Sequence, residues 1–205
     1  MIRNRRDTED KLVRAVGAVL EISGFQKVGV NLLARTAGVD KVLIYRYFGG
    51  LGGLLSAFGE SADIWWTVDE IVGDESAGPE QGNLSAWCGL ALARQVDALR
   101  QRPVTQQILL WELSQSNGLT RKLNELRETR TQQLVRRTIE LGGRRVDTRL
   151  LAVHSLLGAA CEYVILRSRN SYSLLGMDFS DDAGWSRLAA SLSAVAEAVL
   201  AEGEA

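Results

Sequence analysis

The apolar positions of this chain recur at helical spacing almost from end to end. Within Asp7 to Ser23 they are Leu12, Val16, Val19 and Leu20, at i, i+4, i+7 and i+8, one face of a helix. Asp7 or Thr8 is the expected cap, with Glu9 and Asp10 toward the positive end of the dipole, and Gly24-Phe25 is the expected stop. Val30, Leu33, Ala34 and Ala37 make a second, shorter apolar face. Gly38 suits the positive φ of a tight turn, and Asp40 can cap a third helix whose Ile44 and Phe48 face inward. Two helices joined by about three residues containing Gly form a helix-turn-helix pattern.

Downstream the same periodicity continues. GGLGG at 49–53 separates this unit from a helix of about 20 residues with Leu54, Phe58, Trp65, Val68 and Val72 as its seam. Residues 73–83 are a loop by composition. Leu84–Arg102 ends before Pro103, Val104–Ser116 before Asn117-Gly118, and an Arg-rich helix from Leu119 to Leu141 before Gly142-Gly143. Asp147 caps a helix reaching about Arg169, and Ser180 to Asp182 opens the last, which ends near Ala201. The pattern predicts an all-α fold of about nine helices and no strand. Its expected division is a three-helix helix-turn-helix domain over residues 1–50 and a helical domain over 51–205.

Composition narrows the setting. Two cysteines, Cys88 and Cys161, cannot build a disulfide framework and suit a reducing compartment. The N-terminus is charged, unlike a signal core, and no uninterrupted apolar run reaches the ~18 residues of a membrane span. A soluble, cytoplasmic protein without a membrane partner is expected. The net charge of −1 excludes a polycation, but it is unevenly spread. Residues 1–60 hold nine basic and six acidic side chains, a net of +3, against −4 for the remainder. A slightly basic head is the footprint of a DNA reader.

Gly24-Phe25, Leu33-Ala34-Arg35, Ala37-Gly38-Val39, Lys41, Ile44-Tyr45-Arg46-Tyr47-Phe48 and Leu54-Leu55, in this order, resemble the DNA-binding domain of the TetR family of transcriptional regulators. The resemblance spans about 45 residues. It implies a homodimer that binds a double-stranded DNA operator through the helix beginning near Lys41, with a variable helical domain that binds a small-molecule effector. Lys41 and Arg46 can reach phosphate or guanine from a helix in the major groove. The resemblance makes Tyr47 the phosphate contact and turns Tyr45 partly inward. Asn31 and Arg35 on the preceding helix are candidate backbone contacts. Val42 and Leu43 stand where the family has a small Gly and a hydroxylated Thr; apolar side chains there can meet a thymine methyl but lose phosphate hydrogen bonds. Gly29 replaces the usual Ser or Thr cap, and Leu51 replaces a phosphate-gripping Lys. DNA binding weaker and more A·T-tolerant than is usual in the family follows from these departures.

In the helical domain, Trp65, Trp87, Trp111, Arg130, His154 and Cys161 are the candidate effector-binding residues, with Trp111, Trp87 and His154 the favoured cluster. The resemblance implies that the last two long helices pair with their copies in a four-helix dimer interface, and two apolar faces suit it: Val153, Leu156, Leu157, Ala160 and Val164 on one helix, Leu188, Leu192, Val195 and Val199 on the last. His154, Gly158, Cys161 and Glu162 share a helical face, too few ligands for a metal. GGLGG lacks the Lys and Ser/Thr of a phosphate loop. No metal, cofactor or catalytic residue is therefore expected. Two functions remain open: a repressor released by a small apolar or aromatic ligand, with GGLGG as the hinge, or a helical ligand- or partner-binding dimer with weak or lost specific DNA binding; a third, an enzyme, has only the His154–Cys161 pair behind it.

Overall fold

The computed structural model describes residues 2–61 and 64–201. In chain order its helices are α1 (Ile2–Ser23), α2 (Val30–Ala37), α3 (Val42–Phe48), α4 (Leu51–Gly59), α5 (Val68–Val72), α6 (Leu84–Arg100), α7 (Pro103–Ser114), α8 (Gly118–Leu141), α9 (Thr148–Ser168) and α10 (Asp182–Ala201). Before α10 lies a small hairpin of β1 (Ser173–Leu174) and β2 (Met177–Asp178). The chain forms two compact units. One runs to Trp65 and takes in Arg102–Glu128; the other joins Trp66–Gln101 to the chain from Thr129 onward.

In the first unit α1 supports the short helices. Leu12, Val16, Val19 and Leu20 are buried, as their spacing predicts, with Leu33 of α2, Ile44 of α3 and Leu54 of α4. Two boundaries differ from expectation. Helix α1 starts at Ile2, so Asp7 and Thr8 lie inside it instead of capping it. An i, i+4 ion pair between Arg5 and Glu9, 2.8 Å long, supports the added turn. GGLGG is no separator: Gly49 and Gly50 make the turn with φ of 72° and 128°, and Leu51, Gly52 and Gly53 are the first residues of α4.

The expected helix across Leu54 to Val72 is two helices, which brings the α-helices to ten among the described residues. The buried Thr105 hydroxyl of α7 donates to the carbonyl oxygen of Ile64, giving that non-helical backbone group a partner. Thr67 then starts α5 by accepting the Glu70 N–H at 3.1 Å. Trp65 and Trp66, in the segment that joins α4 to α5, are buried.

In the second unit α6 packs along α10 and against α5 and α9. Leu84, Trp87, Leu92 and Val96 of α6, Leu157, Val164 and Ile165 of α9, and Leu188, Leu192 and Ala196 of α10 are buried in it. The hairpin corrects the expectation of no strand. Ser173 pairs with Asp178 and Leu174 with Met177, antiparallel, and its tip, Leu175-Gly176, has φ of 50° and 82°. Leucine is not a residue that announces such a turn. Helix α9 also corrects the composition reading: by length and hydropathy it could cross a membrane. Yet His154, Leu157, Cys161 and Val164 are buried within the unit, as in the core helix of a globular domain.

Candidate functional site

The turn between α2 and α3 follows from three residues. Gly38 ends α2 in the left-handed region at φ 66°, its N–H bonded to the carbonyls of Ala34 and Arg35. Asp40 turns the chain into α3 by accepting the Val42 N–H on Oδ1 at 2.8 Å. Ile44 is buried and holds α3 against the unit. At the start of α2, Gly29 is extended (φ −163°) and supplies no side-chain cap.

With Ile44 inward, the rest of α3 is sorted by its angle around the axis. Lys41, Val42, Tyr45 and Arg46 are exposed, Val42 by 60% and Tyr45 by 58%. Leu43 and Tyr47 are half-buried. On α2, Asn31 and Arg35 are exposed. The eight predicted DNA-contact residues thus lie on two adjacent helices, and six of them face solvent. The exposures of the two tyrosines are the reverse of the inward Tyr45 that the resemblance implied. Tyr45 stands outward; Tyr47 packs closer in, with the Arg5 guanidinium 5.1 Å from its ring centre. Leu51, half-buried, offers no charge at the start of α4. The exposed face therefore carries the cations Arg35, Lys41 and Arg46 beside apolar Val42 and the Tyr45 ring. It can place positive charge on phosphates and flat or branched apolar groups on base edges.

A cavity in the second unit is lined by Cys88 and Leu92 of α6, Thr138 and Ile139 of α8, and Val153, His154 and Leu157 of α9, among others. It encloses roughly 340 Å³ of space between atoms, part of it open to solvent, and leaves only about 10 Å³ for the centre of a water molecule. His154 is 8% exposed, and its Nε2 has no hydrogen-bond partner. Burial pushes the imidazole down to about 4. The Cys88 thiol is pushed up to about 11 by burial, and that of Cys161 to about 12 by burial and by Glu162. Neither thiol is a ready nucleophile. Among the described residues no three His, Cys, Asp or Glu side chains could hold a metal.

Of the expected cluster of Trp111, Trp87 and His154, His154 alone is among the residues that line this cavity. Trp111 stacks on Phe25 in the first unit, with ring centres 4.9 Å apart and planes at 12°. Trp87 is buried beside Gly78, and Trp65 belongs to the first unit. Arg130 is half-buried, and Cys161 is buried on α9; neither lines the cavity. Sequence reasoning missed Cys88 and Thr138. Their helices carry the expected spacing, but which helix faces α9 is a tertiary fact that periodicity does not hold.

The predicted dimer faces divide. Leu157, Val164, Leu188 and Leu192 are buried in the unit's own core, and Val153 and Val199 are half-buried. These inward residues are not free for a partner. Leu156 (72% exposed), Ala160 and Val195 (45%) point outward, and Tyr163 joins Leu156 and Ala160 on one face of α9. The two faces lie one residue apart on the helix, and periodicity alone assigns either one to the core.

Comparison with known proteins agrees with the α2–α3 geometry. Residues 18–58 match the family model for bacterial regulatory proteins of the tetR family. No curated protein matches the chain in sequence. Among solved structures, the transcriptional regulator FadR from Bacillus subtilis, in complex with stearoyl-CoA, superposes with a TM-score of 0.65 at 16% identity, over 91% of this chain and 96% of that one. The fatty acid degradation regulator FadR from Bacillus halodurans gives 0.62 at 18% identity, over 94% of each chain. A TetR-like transcriptional regulator from Rhodococcus sp. RHA1 gives 0.63 at 17% identity, over 93% of this chain and 96% of that one. The segment 18–58 carries the tetR-family N-terminal domain, and the chain as a whole has the fold of a TetR-family transcriptional regulator.

Proposed function

We propose that this protein is a soluble, cytoplasmic homodimer that binds a double-stranded DNA operator through α3 and acts as a repressor released by a small effector. One observation carries the reading: α3 is anchored by Ile44 and presents Lys41, Val42, Tyr45 and Arg46 outward. One short helix reads few bases, and a two-fold pair doubles the contact. The outward face of α9, with Leu156, Ala160 and Tyr163, and Val195 of α10 support pairing with a second copy. The His154 cavity supports an effector site in the helical body, and the Bacillus subtilis regulator solved with stearoyl-CoA is a relative in fold that holds a ligand. The effector acts only through its differential affinity for the DNA-competent and DNA-incompetent arrangements.

A second reading, a ligand- or partner-binding dimer with lost specific DNA binding, is favoured by Leu51, which leaves the start of α4 uncharged. Footprinting on the DNA upstream of the protein's own gene separates the two. A protected site that Arg46→Ala abolishes supports the operator reading; no protection at low salt supports the other.

A further inference from the structure

The cavity under α9 has a chemical character that narrows what can enter it. Its walls come from α6, α8, α9 and α10 and consist of Leu, Ile, Val and Ala side chains with three polar groups: the Cys88 thiol, the Thr138 hydroxyl and the His154 imidazole. Thr138 already donates to the Leu134 carbonyl at 2.9 Å. His154 is more than nine-tenths buried, and its Nε2 is orphaned. A buried polar atom without a partner costs free energy, which a ligand placing a hydrogen-bonding group there recovers.

We propose that this cavity binds a compact, uncharged, largely apolar molecule bearing a single hydrogen-bonding group, and that His154 Nε2 is the atom that meets that group. The inference rests on reading the helical body as an effector domain and names the class of effector. No Lys, Arg, Asp or Glu lines the cavity. His154, held near 4 by burial, is neutral at pH 7, and the Cys88 thiol is protonated. A carboxylate or phosphate entering here would lose its hydration with no cation to receive it, so anionic ligands are rejected. A pure hydrocarbon would leave Nε2 unpaired, so it binds more weakly than its hydroxyl- or carbonyl-bearing counterpart. Because the free space is about that of one water, the walls must part to admit a ring, and entry changes the packing of α6, α8 and α9.

Calorimetric titration of the full chain with phenol, toluene and benzoate tests this. Phenol is expected to bind about tenfold more tightly than toluene, and benzoate not to bind. His154→Leu is expected to erase the preference for phenol while toluene still binds; His154→Gln, which keeps a hydrogen-bonding head, retains part of it. Benzoate binding as tightly as phenol overturns the proposal. So does a phenol preference that survives in His154→Leu. Failure of both neutral probes to bind would mean that the space holds a water and nothing larger, and it too overturns the proposal. Retention on the protein's own upstream DNA, measured with saturating phenol, keeps the two readings apart. His154-dependent binding that leaves retention unchanged supports this ligand class and contradicts the effector role.

Discussion

Single residues decide several features that periodicity left ambiguous. Gly52 and Gly53 are neighbours in the first turn of α4, yet their surroundings differ. A Cβ at Gly52 meets nothing, whereas one at Gly53 would overlap the carbonyl oxygen of Phe48. Gly52→Ala is therefore expected to leave thermal stability unchanged or raise it by up to about 1 kcal/mol. Gly53→Ala should lower it by about 1–3 kcal/mol, because the backbone of the α3–α4 turn has to move. Paired thermal melts check the contrast. His154, the only histidine in the chain, gives a second residue-scale prediction. Above its ordinary pKa of 6.5 it is neutral in both folded and unfolded states. Below 6.5 the unfolded chain takes up a proton that the folded chain refuses until about 4. Stability should therefore fall as pH drops through this window, by about 2 kcal/mol at pH 4.5. Urea titrations at pH 7.5 and 4.5 should show a larger loss for the wild type than for His154→Gln, whose side chain does not titrate. His154, which the sequence singled out on an apolar helix, lines the cavity. Cys88 and Thr138, the other polar groups of the cavity, were not visible, because no local signal says which helices enclose it.

At the scale of elements, α2, α3 and α6 to α10 lie within about two residues of where the sequence places them, whereas the start of α1 and the stretch from Leu54 to Val72 differ. Helices α2 and α3 follow directly from Gly38, Asp40 and Ile44, since capping and turn chemistry act over a few residues. The α4–α5 break was not readable. Within it the Ile64 carbonyl accepts from the hydroxyl of Thr105, some 40 residues away, a contact that no local signal announces. Trp111 is a similar case: its periodicity marks it as buried, but its stacking partner, Phe25, lies in another part of the chain. Helix α9 carries the element-scale prediction. It is apolar on two sides, with Leu157 and Val164 inside and Leu156 and Tyr163 outside. On the proposed dimer, Leu156→Glu is expected to place a charge between the copies and to yield a monomer at micromolar concentration, with the melting temperature of the isolated fold kept. Sedimentation velocity reads the result. A variant that remains dimeric would move the interface elsewhere.

For the whole molecule, the distribution of charge matters more than its sum. The net of −1 combines a head of +3 with a body of −4, so a near-neutral protein still presents cations where α2 and α3 are exposed. Lys41, Arg46 and Arg35 are the exposed cations of these two helices, and Leu51 adds none at α4, so the proposed DNA reading predicts a modest grip. Binding should then be salt-sensitive with few phosphate contacts, and the apolar Val42 and the Tyr45 ring should favour A·T-rich sites. The measurement that tests this most directly is the salt dependence of affinity for the DNA upstream of the protein's own gene, compared between the wild type and Lys41→Ala. The account predicts a wild-type slope of log K against log salt corresponding to fewer than about eight phosphates per dimer, shallower by about 2 in Lys41→Ala. A wild-type slope of eight contacts or more, or one unchanged by the substitution, would contradict it.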